Sequence, residues 1–162
     1  MTFKKSRISN LLFVIVIILM IIPQTRKPIQ VGLHSILALF SPLAIDKEDQ
    51  LLLSNYDWQL LDSNSTIFTL EKAKGKVLFV NLWATWCPPC IAEMPSMQKI
   101  YDAYGDRVVF LFISNENQEK VTAFLKRKNR SIPSYYPLSS SPKDIASNSI
   151  PATYIIDKKG FI

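Results

Sequence analysis

Trp83-Ala84-Thr85-Trp86-Cys87-Pro88-Pro89-Cys90 stands between an apolar run, Val77-Leu78-Phe79-Val80-Asn81-Leu82, and a segment in which Ile91, Met94, Met97, Ile100, Tyr101 and Tyr104 share one helical face. The run reads as a buried strand and the later segment as a helix. Both cysteines therefore sit where a strand hands over to a helix, with Cys87 at the helix start. A helix N-terminus presents unpaired N–H groups and a partial positive charge. Both favour a thiolate over a thiol, and lowering a cysteine pKa from about 8.5 to about 7 takes only about 2 kcal/mol. The spacing brings Cys90, one turn in and shielded, within reach of Cys87. The pair reads as a dithiol–disulfide switch with Cys90 as the resolving thiol.

Two weaker alternatives stay open on the residues alone. A zinc site needs two further ligands, and the chain has no third cysteine and a single histidine, His34, far away in sequence. A purely structural disulfide across so short a loop constrains little of the unfolded chain.

The 162 residues, 48% of them apolar, suit one domain of ordinary size plus an extra segment. Net charge is +6, and Lys4, Lys5 and Arg7 supply half of that excess ahead of the first apolar run. The remainder reads as a solvated surface. No basic run carries interleaved aromatics, so nucleic acid is not an expected partner, and Lys126-Arg127-Lys128 reads as the polar end of a helix. Both cysteines belong to the one motif, so cysteine count leaves the compartment open.

The N-terminus addresses the compartment. Leu11 to Ile22 is an unbroken apolar run of twelve, ended by Pro23. Residues 1–23 read as an uncleaved signal anchor, because Pro23-Gln24-Thr25-Arg26-Lys27-Pro28 offers no A-x-A-like cleavage site; a cleaved signal peptide is the alternative. The run is short for a span of about 20 residues. The leading cations favour a cytoplasmic N-terminus, although Arg26 and Lys27 weigh against it. That orientation puts everything after Pro23 outside the cytoplasm. Residues 24–50 read as an amphipathic segment and linker, with Leu33, Ile36, Leu37, Phe40 and Ala44 on one helical face and His34 at a surface or membrane interface.

Residues 51–162 carry the pattern of a compact domain. Tyr56–Leu61 and Thr66–Leu70 read as a hairpin around Asp62-Ser63-Asn64-Ser65, and Glu71–Lys76 as a polar turn. After the central strand and cysteine helix, Val108–Ser114 reads as a strand and Gln118–Asn129 as a helix with Val121, Phe124 and Leu125 inward. Ser134–Leu138 reads as a short strand. Ser141–Ser147 reads as a short helix with Pro142 in its first turn, and Ala152–Asp157 as a strand leading into a Lys-Lys-Gly turn and the start of another strand. Strands alternating with helices imply an α/β sheet.

The stretch from Val80 to Cys90 resembles the active-site region of the thioredoxin fold. More narrowly, the chain resembles the membrane-anchored TlpA/ResA-like thiol–disulfide oxidoreductases of bacteria. Glu93-Met94-Pro95, Ile150-Pro151-Ala152-Thr153 and Asp157-Lys158-Lys159-Gly160 agree with that family's cysteine helix, cis-proline loop and hairpin turn. The resemblance implies a thioredoxin-like three-layer α/β fold with an N-terminal β-hairpin extension, preceded by a membrane-anchor helix. It implies that the chain stops short of the family's last strand and C-terminal helix. It gives Cys87 the role of exposed nucleophile and Cys90 that of resolving thiol, joined in a redox-active disulfide with no other cofactor and no metal.

Trp86, Pro88, Pro89, Ile150 and Pro151 would form the active-site surface, with Pro151 cis; an ordinary trans turn proline is the plainer alternative. Trp83 is expected in the core. Thioredoxins proper carry a buried aspartate where this chain has Asn81, and the resemblance points to Glu93 as the proton-transfer group instead, against the plainer reading of an exposed helical glutamate. Implied partners are protein disulfides, a membrane thiol reductase as electron donor, and the membrane itself. The implied location is the extracytoplasmic, periplasmic face of a bacterial cytoplasmic membrane. Reduction of apocytochrome cysteines is the example the resemblance suggests. An oxidase or isomerase on the same fold, a peroxidase, and a non-catalytic metal-binding or interaction module are the competing functions.

Overall fold

The computed structural model describes residues 50–162, together with Asn10, Phe13, Val14, Ile15, Ile17 and Val31, which are helical. Apart from these positions, the expected anchor over residues 1–23 and linker over 24–50, His34 included, lie outside the described residues. Among the described residues no helix is long and apolar enough to cross a membrane.

Among the described residues, six strands form one mixed sheet. In chain order the elements are β1 (Gln59–Asp62), β2 (Ile67–Thr69), a 3-10 turn (Leu70–Ala73), β3 (Val77–Leu82), α1 (Pro88–Tyr104), β4 (Val108–Ile113), α2 (Gln118–Arg127), β5 (Ser134–Pro137), a second 3-10 turn (Lys143–Ile145) and β6 (Ala152–Ile156). Across the sheet the order is β2-β1-β5-β4-β3-β6. The β3–β4 and β4–β5 pairs are parallel, and the β3–β6, β1–β5 and β1–β2 pairs are antiparallel.

The apolar runs of β3 and β4 follow from burial on both faces, where alternation disappears from the sequence. Phe79, Phe110 and Phe112 face one core with Met94 of α1 and Val121, Phe124 and Leu125 of α2. Leu78, Val80, Leu111 and Ile113 face the other, with Leu53, Trp58, Leu60, Leu70, Ala73, Ile145 and Ile156. The in-register pairs Phe79↔Phe110 and Val80↔Leu111 keep each set on its own face. Helices α1 and α2 thus pack on one face. The opposite face is covered by the segment from Leu53 to Trp58 and the two 3-10 turns.

Several expected boundaries move. The hairpin is shorter than Tyr56–Leu61 paired with Thr66–Leu70, because Asp62 Oδ1 accepts the N–H groups of Asn64 (2.8 Å) and Thr66 (2.7 Å) and closes the turn around Ser65, at φ 61°. The expected polar turn over Glu71–Lys76 begins as a 3-10 turn because Leu70 and Ala73 are buried. Ser141–Ser147 yields only the turn Lys143–Ile145, with Pro142 as its cap and Ile145 buried. On α1, Ile100 and Tyr104 are exposed, not inward. Ile100 lies two and a half turns beyond Ile91 at about 3.6 residues per turn, on the opposite side of the helix.

The residues after the Lys-Lys-Gly turn form no strand. Phe161 makes a single bridge to Leu52, and backbone bonds of 2.8 Å run from Leu53 N–H to Gly160 and from Ile162 N–H to Leu51. Gly160 is dictated by its φ of +95°, and a Cβ there would also stand 2.8 Å from the Tyr56 hydroxyl, at the tip of that side chain.

Candidate active site at the start of the cysteine helix

Cys87 is the N-cap of α1, with extended backbone (φ −89°, ψ 104°). Pro88 and Pro89 fill the first two helical positions, where a missing N–H removes nothing the helix needs. The first helical N–H available is therefore that of Cys90, and it donates to Cys87 Sγ at 3.3 Å. The first turn of α1 holds no acidic residue to oppose a thiolate. The spacing thus places the sulfur of the first cysteine on the donor end of the helix, where negative charge is stabilised.

Cys87 and Cys90 form a disulfide with an S–S length of 2.09 Å and a Cα–Cα separation of 5.3 Å. The expectation of an exposed Cys87 needs correction. With the disulfide closed, Cys87 is only 2% exposed and Cys90 4%. Both belong to the helix-side core with Trp83 and Ala84, and Ile150 packs against that cluster. The exposed group at the site is the neighbouring Trp86, at 62%.

The Ile150–Pro151 peptide is cis. Two residues on, Thr153 stands opposite Asn81 in the β3–β6 register, and Asn81 Nδ2 donates to Thr153 Oγ1 at 2.9 Å. Asn81 is buried, so this position beneath the cysteine turn holds a neutral hydrogen-bonded pair. Trp83 is in the core as expected, and its Nε1 has no hydrogen-bond partner among the described residues. Glu93 lies on α1 one turn beyond Cys90 and is partly buried. Trp86 through Cys90 are thus gathered by one turn, and Ile150 is brought to them from the loop before β6.

Glu116 is a site neighbour that the sequence reading missed. It follows β4 and accepts from both the backbone N–H and the hydroxyl of Thr85, the latter at 2.9 Å. It also pairs with Lys120, one turn later. Burial pushes its pKa up, but Lys120 and the two Thr85 donors outweigh that and hold it below the usual carboxylate range. The local sequence Ser114-Asn115-Glu116-Asn117 reads only as a polar loop ahead of a capped helix, and nothing in it specifies Thr85 as a partner. Trp86, Ala84, Glu116, Ser140, Asn148 and Ile150 are among the residues lining a cleft of about 580 Å³ against the turn that leads into Cys87.

Comparison with known proteins places this geometry. The Redoxin family profile matches residues 46–162. Thioredoxin-like protein YneN of Bacillus subtilis is 37% identical over 110 residues, which are 65% of this chain and 65% of that protein. Thiol-disulfide oxidoreductase ResA of Halalkalibacterium halodurans is 32% identical over 106 residues, 64% of this chain and 60% of that protein. The chain therefore spans less than two thirds of the length of these relatives. Among solved structures, a thiol:disulfide interchange protein of the thioredoxin family from Chlorobium tepidum superposes with a TM-score of 0.55 at 25% identity, covering 70% of this chain and 87% of that one. With the six-stranded sheet, the disulfide at the helix start and the cis-proline all in place, the chain belongs to the Redoxin family, with a thioredoxin-like fold.

Proposed function

We propose that the chain is an extracytoplasmic thiol–disulfide oxidoreductase that reduces disulfides in other proteins. The observation that carries this reading is the Cys90 N–H aimed at Cys87 Sγ within a disulfide-forming pair at a helix N-terminus. In the reduced protein the same donor stabilises a Cys87 thiolate. That thiolate attacks one sulfur of a substrate disulfide, and the other substrate sulfur leaves as a thiolate. Cys90 then gives up its proton and attacks Cys87 Sγ, which releases the second substrate sulfur. The substrate gains two electrons and the Cys87–Cys90 pair becomes the disulfide observed here.

With Asn81 unable to titrate, Glu93 takes the role of assisting proton transfer at the thiols. Trp86, Pro88, Pro89, Ile150 and Pro151 form the surface that meets the substrate. The two electrons return from a membrane thiol reductase, and the N-terminal anchor holds the domain outside the bacterial cytoplasmic membrane. The relatives named as thiol-disulfide oxidoreductases support the exchange chemistry, and reduction of apocytochrome cysteines is one task suited to it.

The midpoint potential of the Cys87–Cys90 pair tests the direction of transfer. Equilibration of the full chain with glutathione or dithiothreitol buffers should give a value near or below about −230 mV, in the range of thioredoxin-like reductants. A value between about −180 and −120 mV belongs to isomerases and oxidants and would remove the reductase assignment.

A further inference from the structure

We infer that Glu116 is a positioning residue for the cysteine turn, holding Thr85 so that Cys87 stays seated on the end of α1. The inference deepens the proposed exchange reaction and rests on it for its functional meaning. The turn from Trp83 to Cys87 lies beyond the β3 ladder. At its start, Trp83 N–H donates to the Ile113 carbonyl at 3.0 Å, and at its end Cys87 N–H donates to the Ala84 carbonyl at 3.2 Å. Thr85, between them, is gripped from the neighbouring loop: its N–H donates to one carboxylate oxygen of Glu116 and its hydroxyl to the other.

A two-point grip by a carboxylate fixes both distance and rotation, and bonds to an ionised acceptor are stronger than neutral ones. The Glu116 side chain is only 11% exposed, so water competes poorly for it. Lys120, in the first turn of α2, balances the charge, which leaves geometry as the main contribution to the neighbouring turn.

Thr85 is two residues from Cys87. The seat of Cys87 matters because its extended backbone is what lets Sγ accept the Cys90 N–H. Releasing Thr85 frees the turn to shift, the sulfur leaves the helix end, and the thiolate loses its donor. The thiol pKa then rises and attack slows.

The test uses the full chain in its reduced form. The rate of iodoacetamide alkylation at Cys87 is followed against pH by mass spectrometry for Thr85→Val, Thr85→Ser and Glu116→Gln. Thr85→Val removes one donor and leaves the Glu116 charge, whereas Thr85→Ser restores the hydroxyl. Glu116→Gln leaves a single acceptor oxygen where the carboxylate offered two. Positioning predicts that the alkylation midpoint moves to higher pH in both Thr85→Val and Glu116→Gln, with alkylation at pH 7 slower by about threefold and about tenfold respectively. Thr85→Ser should behave as the parent.

A downward shift in Glu116→Gln with Thr85→Val unmoved would mean a charge effect alone and would overturn the inference. Lower thermal stability with an unchanged alkylation profile would likewise reduce Glu116 to a structural contact. If Glu116→Gln does not fold, the Thr85→Val and Thr85→Ser pair decides. Alkylation needs no turnover, so a parent chain that alkylates as described but reduces no disulfide substrate would remove the proposed function and leave the clamp standing.

Discussion

Asn81→Asp puts an ionisable group at the one buried polar position of β3 and makes a quantitative demand on the structure. Asn81 is 5% exposed and donates to Thr153 Oγ1 at 2.9 Å. An aspartate there keeps one bond, with the direction reversed and the Thr153 hydroxyl donating. One neutral donor is too little for a carboxylate taken out of water, and the flanking residues Val80 and Leu82 are apolar. Burial raises a carboxyl pKa by up to about 3–5 units. A shift of about 3 units takes the introduced carboxyl from about 3.9 to about 7, and at about 1.36 kcal/mol per unit this is about 4 kcal/mol.

The sign follows from which state binds the proton. A folded-state pKa raised above the unfolded value means that the folded form holds its proton more tightly. The new carboxyl therefore costs nothing in ionisation below about pH 4, and the penalty grows as pH rises through the window from about 4 to about 7. Against a total stability of about 5–15 kcal/mol for an ordinary domain, the loss at pH 8 is large. Urea unfolding of the oxidised full chain and of Asn81→Asp in detergent, followed by tryptophan fluorescence, measures it at pH 4.5 and pH 8. The gap between the two proteins should widen with pH towards about 4 kcal/mol. A gap that stays constant between those pH values would mean that the carboxylate reaches water or a second donor, and the burial penalty argued for this position would be wrong.

Two further predictions concern the exchange chemistry. Cys90→Ser should leave Cys87 to form mixed disulfides that cannot resolve, visible as adducts on non-reducing gels; their absence would count against the assignment of Cys87 as the attacking thiol. Glu93→Gln should slow exchange and change the pH profile of the thiols, whereas identical rates across pH would return Glu93 to an ordinary helical side chain.

What the sequence made legible, and what it hid, follows from the range of the interactions concerned. The apolar runs Val77–Leu82 and Val108–Ile113 reveal strands buried on both faces, because a side chain on either side of such a strand meets a core. The cysteine turn is equally local. The two prolines, the N-cap and the disulfide lie within four consecutive residues, so their chemistry can be read from spacing alone.

The cis peptide at Ile150–Pro151 needed the resemblance, since a lone Ile-Pro pair carries no signal of its isomer. The burial of Cys87 was hidden for a related reason. The cluster it belongs to is packed by Ile150, more than sixty residues away in sequence, which the fold brings to it by setting β6 next to β3. The helical face of α1 failed at Ile100 and Tyr104 because a list of apolar residues at rough spacing is wider than the stripe one sheet covers.

Glu116 was the least visible of all. Its partner Thr85 is 31 residues away and reaches it only because β3 and β4 are adjacent parallel strands whose C-terminal ends release their loops at the same end of the sheet. In a parallel pair, the loop that carries the reacting group and the loop that holds it in place leave neighbouring strands at one end. A polar residue just past the end of β4 is thus placed to set the geometry of a turn just past the end of β3, although nothing in its own stretch of sequence names that turn.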